Sequence, residues 1–139
     1  VVCPSRPLGY WVSVFLRLYP QRGVNMPDYT QTLVLLRDAK ELISTPDRWV
    51  QGTSYIPMKA GVPGRHCMVG AICKAAKPEV NERDFGAVYS LASFFLERST
   101  ETPHISVWND TPGRTHAEVM AAFDKAIEIA QTAAGFQRG

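Results

Sequence analysis

The sequence predicts a mainly α-helical protein of about four helices, with an irregular segment over residues 45–65 and an apolar arm at its N-terminus. Two observations support this fold class. Apolar residues recur at helical spacing over most of the chain after residue 26, and Gly and Pro interrupt that spacing in one long segment. With 139 residues, of which 45% are hydrophobic and 20% charged, the chain is long enough to bury one core. We therefore expect a single helical domain over residues 26–139, preceded by an arm of residues 1–25.

The arm contains the most apolar stretch of the chain, Leu8 to Tyr19. Its β-forming residues alternate onto one face, which favours a strand. The stretch is too short for a membrane span and lacks a signal-peptide cleavage site, so we expect no membrane partner. Met26 is a candidate natural start, with the arm upstream of it. A lone apolar strand favours pairing with a second copy, so we expect a homodimer; folding back onto its own domain is the alternative.

The first two helices are expected on either side of the irregular segment. Asp28 is expected to cap the first helix, whose apolar stripe ends near Ile43. The second is expected to begin at His66 and to end at Pro78, because proline interrupts helical hydrogen bonding. Residues 45–65 contain three Gly and three Pro between these helices, and we expect them to form either a functional loop or a hairpin.

Two further helices are expected in the C-terminal half. The first covers roughly residues 82–98 and has apolar residues at helical spacing. Residues 104–110 are expected to be short and extended. The last helix is expected to begin at a capping box formed by Thr115 and Glu118, and Gly135 is expected to end it.

Charge is distributed unevenly along the chain. Residues 1–77 carry ten Lys or Arg and four Asp or Glu, whereas residues 78–139 carry five and nine. These halves can complement each other in the fold, or a basic surface can face an acidic or phosphate-bearing partner. The basic residues of that surface are Lys59, Arg65, His66, Lys74 and Lys77. The net charge of +2 is too small to indicate a nucleic-acid partner.

The chain contains three cysteines, an odd number that argues against a disulfide framework and favours a reducing compartment such as the cytoplasm. We expect no metal site, because no Cys-x-x-Cys or His-x-x-x-His pair is present. We also expect no nucleotide cofactor, because the sequence contains neither a P-loop nor a G-x-G-x-x-G motif.

Three short motifs follow one another along the chain. They are W-x-Q-G at residues 49–52, C-x-x-G-A at 67–71 and W-N-D-x-x-G-R-T at 108–115. In this order and spacing they resemble a family of small bacterial and phage proteins known only as a domain of unknown function, over roughly residues 33–130. The resemblance implies a small helical domain, and carriage on a phage or another mobile element. It implies no established activity.

The motif residues are candidates for ligand binding. The two tryptophans precede polar residues at loop ends, so their rings can form the walls of a ligand pocket or cap the core. Two Pro-Gly-Arg turns each lead into an expected helix, where free N–H groups beside an arginine suit an anion; a common turn is the alternative. The candidate ligand-binding residues are Trp49, Gln51, Arg65, Trp108, Asn109, Asp110 and Arg114.

Cys67 is the candidate nucleophile, because the first turn of a helix lowers the pKa of a thiol. Candidate bases and orienting residues are His66, His104, His116, Asn109 and Asp110. The residues after Cys67 follow a core pattern, however, which favours packing over catalysis. We therefore expect a non-enzymatic binding or interaction module with an anionic small molecule or acidic protein as partner. The alternative is a cysteine-dependent hydrolase or transferase that uses Cys67.

Overall fold

The computed structural model describes residues 29–79 and 82–138. This part of the chain contains a 3-10 turn at Pro46–Arg48 and a two-stranded hairpin, and its other regular elements are five α-helices, which confirms the mainly α-helical prediction. The elements are α1 (Tyr29–Leu42), β1 (Tyr55–Ile56), β2 (Arg65–His66), α2 (Met68–Glu79), α3 (Glu82–Thr100), α4 (Ile105–Asp110) and α5 (His116–Arg138). None of these helices is long and apolar enough to cross a membrane. The N-terminal arm, its expected pairing into a homodimer and the expected cap at Asp28 lie outside the described residues.

The helices α1 and α5 form the centre of the core. α1 packs against α2, α3 and α5, and α5 also packs against α3. The apolar stripe expected for α1 is buried at Leu36 and Ala39, and Phe123 is the largest fully buried side chain among those described in α5. The edge of the Tyr29 ring meets the Phe95 ring of α3 at a centroid distance of 6.1 Å. Burial of these faces is what holds the helices together.

The start of α5 confirms the predicted capping box. The backbone N–H of Thr115 donates to Glu118 Oε2 (2.7 Å), and the backbone N–H of Glu118 donates to Thr115 Oγ1 (3.2 Å). The bond from the Thr115 backbone is the main cause that lowers the pKa of the Glu118 carboxyl. The end predicted at Gly135 is wrong, because α5 continues to Arg138. Glycine inside a helix carries a modest cost, and burial of the preceding alanines offsets it.

Two further differences from the sequence prediction concern α2 and α4. α2 begins at Met68 rather than at His66, because His66 pairs with Tyr55 in the hairpin. The sequence predicts an extended segment over residues 104–110, but most of these residues form α4, so that prediction is wrong. A helix of six residues is too short to show a repeating period. Its buried residues, Ile105 and Asn109, are four apart and lie on one face.

The predicted irregular segment contains a hairpin, which is one of the two expected alternatives. Its strands are antiparallel and only two residues long. At its tip, the backbone N–H groups of Lys59 and Val62 each donate to the other residue's carbonyl oxygen (3.2 and 2.8 Å). Gly61 lies in this turn at a φ of 75°. Glycine adopts that conformation without the steric cost that other residues have.

We predict that Phe123→Ala lowers the free energy of unfolding by about 3–5 kcal/mol, because it leaves a cavity between α5 and the other helices. Chemical denaturation measures this change. The control is Lys125→Ala, an exposed site on the same helix, for which we expect a change within about 0.5 kcal/mol. Equal stability of the two variants would contradict the assignment of α5 to the core.

Candidate functional site

The three sequence motifs meet where the base of the hairpin contacts the start of α2 and the end of α4. At their centre is the side chain of Asn109, whose exposed fraction is 0%. We call this group the Asn109 cluster; it consists of Trp49, Val50, Gln51, Gly52, Met68, Asn109 and Asp110. Trp49 and Asn109 are 60 residues apart in sequence, so the tertiary fold brings the segments of the cluster together.

The carboxamide of Asn109 uses its full hydrogen-bonding capacity. Its Oδ1 accepts from Trp49 Nε1 (2.8 Å) and from the backbone N–H of Met68 (3.3 Å). Its Nδ2 donates to the Val50 carbonyl oxygen (3.1 Å) and to Asp110 Oδ1 (2.9 Å). A neutral amide offers two acceptor positions and two donors, and all four are satisfied here. The buried Asn109 thus joins the loop before the hairpin to α2 and α4.

A second set of bonds ties the end of α4 to the same loop. Gln51 Nε2 donates to the carbonyl oxygens of Asn109 (2.9 Å) and Thr111 (3.0 Å). The backbone N–H of Gly52 donates to Asp110 Oδ1 (2.9 Å). Carbonyl groups near a helix C-terminus lack hydrogen-bond donors within the helix. The side-chain amide of Gln51 supplies a donor to two of these carbonyl groups. These side chains therefore connect parts of the fold to each other.

Arg114 closes the turn between α4 and α5. Its Nε donates to the Trp108 carbonyl oxygen (2.9 Å), and its guanidinium carbon lies 3.7 Å from the centre of the Trp108 ring. Its Nη1 lies 3.4 Å from Glu118 Oε1. The guanidinium is thus held by a carbonyl, a ring and a carboxylate of its own chain.

The two Pro-Gly-Arg turns are not equivalent. Pro112-Gly113-Arg114 leads into α5 as expected, but Arg65 lies in β2. The expectation that both turns lead directly into helices is therefore wrong at Arg65, because strand pairing intervenes before α2 begins. Arg65 is half-buried in this strand, whereas Arg114 lies in the turn between α4 and α5.

The hairpin packs on α2 through a close backbone contact. A Cβ atom built on Gly70 would lie 2.0 Å from the carbonyl oxygen of Ser54. The same oxygen accepts a hydrogen bond from the backbone N–H of Cys67 (3.2 Å). Only glycine at residue 70 leaves room for this approach. The hairpin can therefore pack this closely on α2 because the C-x-x-G-A motif has glycine at residue 70.

Cys67 is buried, and its Sγ accepts a hydrogen bond from the backbone N–H of Gly70 (3.3 Å). Among the hydrogen bonds of the described residues, none joins Cys67 to a histidine. The Nε2 of His116 is instead bonded to the Ile43 carbonyl oxygen at 2.7 Å. His104 lies at the exposed start of α4. Residues 29–79 and 82–138 also contain no group of three His, Cys, Asp or Glu side chains placed to hold a metal ion.

A cleft of about 440 Å³ opens between the hairpin and α2. Inside it, the rings of Tyr55 and His66 lie 4.8 Å apart at an angle of 32°. Burial, and then the charge of Lys74, lower the pKa of the His66 imidazole below its ordinary value. The residues that line the cleft are Ser54, Tyr55, His66, Val69, Gly70, Cys73 and Lys74. The sequence singles out His66 and Lys74 as part of a basic surface, His66 also as a candidate base, and Gly70 as part of the C-x-x-G-A motif. It does not connect these residues into one cleft.

We predict that Asn109→Asp lowers the free energy of unfolding by at least about 3 kcal/mol, because an oxygen then faces the Val50 carbonyl and the Asp110 carboxylate. The control is Asp110→Asn at an exposed site. It keeps an acceptor for Gly52, and we expect it to cost less than about 1 kcal/mol. Chemical denaturation compares the two, and equal losses would contradict the central role of Asn109.

We predict that Gly70→Ala destabilises the protein by about 1–3 kcal/mol, because the new methyl group overlaps the Ser54 backbone. Alanine is the better helix former, so the sign of the effect separates packing from propensity. The matched control is Gly86→Ala in α3, where a Cβ meets nothing within 4 Å. We expect that change to be neutral or to stabilise by up to about 1 kcal/mol. Thermal melts that rise for both variants would exclude the proposed contact.

Comparison with known proteins gives one result at the level of the family. No match was found among curated proteins, and none was found among solved structures. The model of a family of unknown function, DUF6197, matches residues 27–129. That range spans most of the chain and includes the whole Asn109 cluster. The chain therefore belongs to this family of unknown function.

Proposed function

We propose that the protein is a non-enzymatic interaction module whose hairpin binds an acidic segment of a partner protein. The observation that supports this proposal best is the exposure of apolar side chains on the hairpin. Met58 is 74% exposed, Val62 50% and Ile56 37%. Apolar side chains grouped at a surface are typical of protein contact sites, and methionine adapts well to varied partners.

The charge around the hairpin favours an acidic partner. Residues 48–78 contain five Lys or Arg and no Asp or Glu. Lys59 stands between Met58 and Val62 at the tip, so a cationic group lies beside the exposed apolar side chains. A partner with carboxylates next to apolar residues would match both properties, and complementary charge also speeds association.

The attachment of the hairpin favours binding without a large entropic cost. The Asn109 cluster holds the loop before the hairpin, and the bond from Cys67 to the Ser54 carbonyl holds the loop against α2. A surface that is already ordered loses less conformational freedom when a partner binds. The motif residues thus support the proposed function by holding the hairpin in place.

The other candidate functions have less support. Arg114, a candidate anion ligand, is engaged by Trp108 and Glu118. The cysteine-dependent alternative requires an accessible thiolate beside a base, whereas Cys67 is buried and its Sγ accepts from the backbone of Gly70.

Selection from a displayed library of random peptides tests the proposed function with the full chain immobilised. We expect enrichment of peptides that combine Asp or Glu with aromatic or aliphatic residues. Met58→Asp should lower the affinity for the enriched peptides by at least about tenfold, because it places a negative charge against the acidic residues of the peptide. Val34→Asp, at an exposed valine on α1, serves as the control and should change affinity by less than about twofold.

Two results would contradict the proposal. One is a selection that enriches no acidic and apolar peptides. The other is an equal loss of affinity in the Met58 and Val34 variants, which would place the contact away from the hairpin.

A further inference from the structure

We propose that the cleft between the hairpin and α2 binds a small molecule that carries a flat apolar ring and a carboxylate. This site is separate from the exposed Met58, Ile56 and Val62 of the proposed function, and it stands independently of that proposal. Its volume of about 440 Å³ lies in the range typical of small-molecule sites.

The walls of the cleft suit a flat apolar ring. Tyr55 is half-exposed, and its ring lies against the His66 imidazole at a centroid distance of 4.8 Å. On the opposite side, Val69 of α2 is partly buried and packs against the core. Aromatic rings favour offset contacts with a flat partner, and an aliphatic wall excludes water from the other face. A planar ring can therefore lie between the hairpin and α2.

The charge of the cleft suits a carboxylate. Lys74 lines the cleft, and within the described residues its ammonium group forms no ion pair. It also borders a neighbouring groove that contains Asp38 and Glu41, but neither carboxylate is within ion-pair distance of it. Among the described side chains, no Asp or Glu lines the cleft itself. An anion there would thus meet a cation without displacing an existing partner.

His66 adds a hydrogen-bonding group that the fold leaves unused. It is 8% exposed, and its Nδ1 is buried without a hydrogen-bond partner in the described part of the chain. A buried acceptor without a partner is tolerated better than a buried N–H without one, which favours the tautomer protonated at Nε2. Burial and the charge of Lys74 lower the pKa of His66, so the ring is neutral near pH 7. Its Nε2–H is then a donor that remains for an acceptor atom.

Backbone contacts fix the position of the hairpin beside α2. Contact between Gly70 and the Ser54 carbonyl fixes the distance between the hairpin and α2. Ser54 and Tyr55 line its hairpin side. A preformed cleft of this kind binds a ligand with little reorganisation.

Two aromatic probes of similar shape test the proposal, 2-naphthoate and the neutral 2-naphthalenemethanol. Each is titrated into the ¹⁵N-labelled full chain at pH 7, and amide shifts give both the dissociation constant and the position of the site. We expect 2-naphthoate to shift the amides of Val69, Gly70 and Cys73, and to bind about tenfold more tightly than the alcohol. Lys74→Gln should reduce its affinity to that of the alcohol. Lys59→Gln, which removes the same charge at the hairpin tip, should leave the affinity within about twofold.

The proposal is overturned by three outcomes: no saturable shifts, equal binding of the two probes, or equal effects of the Lys74 and Lys59 variants. Met58→Asp separates this site from the proposed function, because it should weaken peptide binding by at least about tenfold and leave 2-naphthoate binding unchanged. A cleft that fails these titrations therefore leaves the interaction module intact, and the reverse also holds.

Discussion

A single buried carboxamide, that of Asn109, fixes how the hairpin is attached to the helices. Its oxygen accepts hydrogen bonds from the indole N–H of Trp49 and from the first backbone N–H of α2, and its nitrogen donates to the carbonyl oxygen of Val50. Burying an amide is costly unless every donor and acceptor is paired. Because this arrangement of three chain segments meets that condition, Asn109 stabilises it against arrangements that would leave the buried amide unpaired. The strands of the hairpin are only two residues long, so its stability would be marginal without such an attachment.

The division between structure and recognition follows from this attachment. Motif side chains at Trp49, Gln51 and Asn109 direct their polar atoms to groups of their own chain. The surfaces that remain open are the apolar tip of the hairpin and the cleft behind it. Neither surface consists mainly of motif residues. In this chain the motif residues therefore attach the hairpin, and the surfaces that we propose for binding are the tip and the cleft.

The sequence predicts the parts of this fold that depend on local chemistry. The capping box at Thr115 and Glu118 acts within one helical turn, and the stripe that includes Phe123 repeats over several turns, so both are visible in one segment. α4 was missed because six residues show no period. The hairpin register and the need for Gly70 depend on contacts with Ser54 and Tyr55, which are distant in sequence. The three motifs single out Trp49, Gln51 and Asn109 as candidate ligand-binding residues. Only the fold shows that these residues belong to one hydrogen-bonded cluster.

The most direct test of the central claim is native-state hydrogen exchange of the wild type and Asn109→Ala. The backbone N–H groups of Val50 and Cys67 donate within the hairpin attachment, to the carbonyl oxygens of His66 and Ser54. If Asn109 anchors the hairpin, these two amides should lose at least about tenfold more protection than the amide of Phe123 in the core of α5. Equal acceleration at all three amides, or unchanged protection at Val50 and Cys67, would contradict the account.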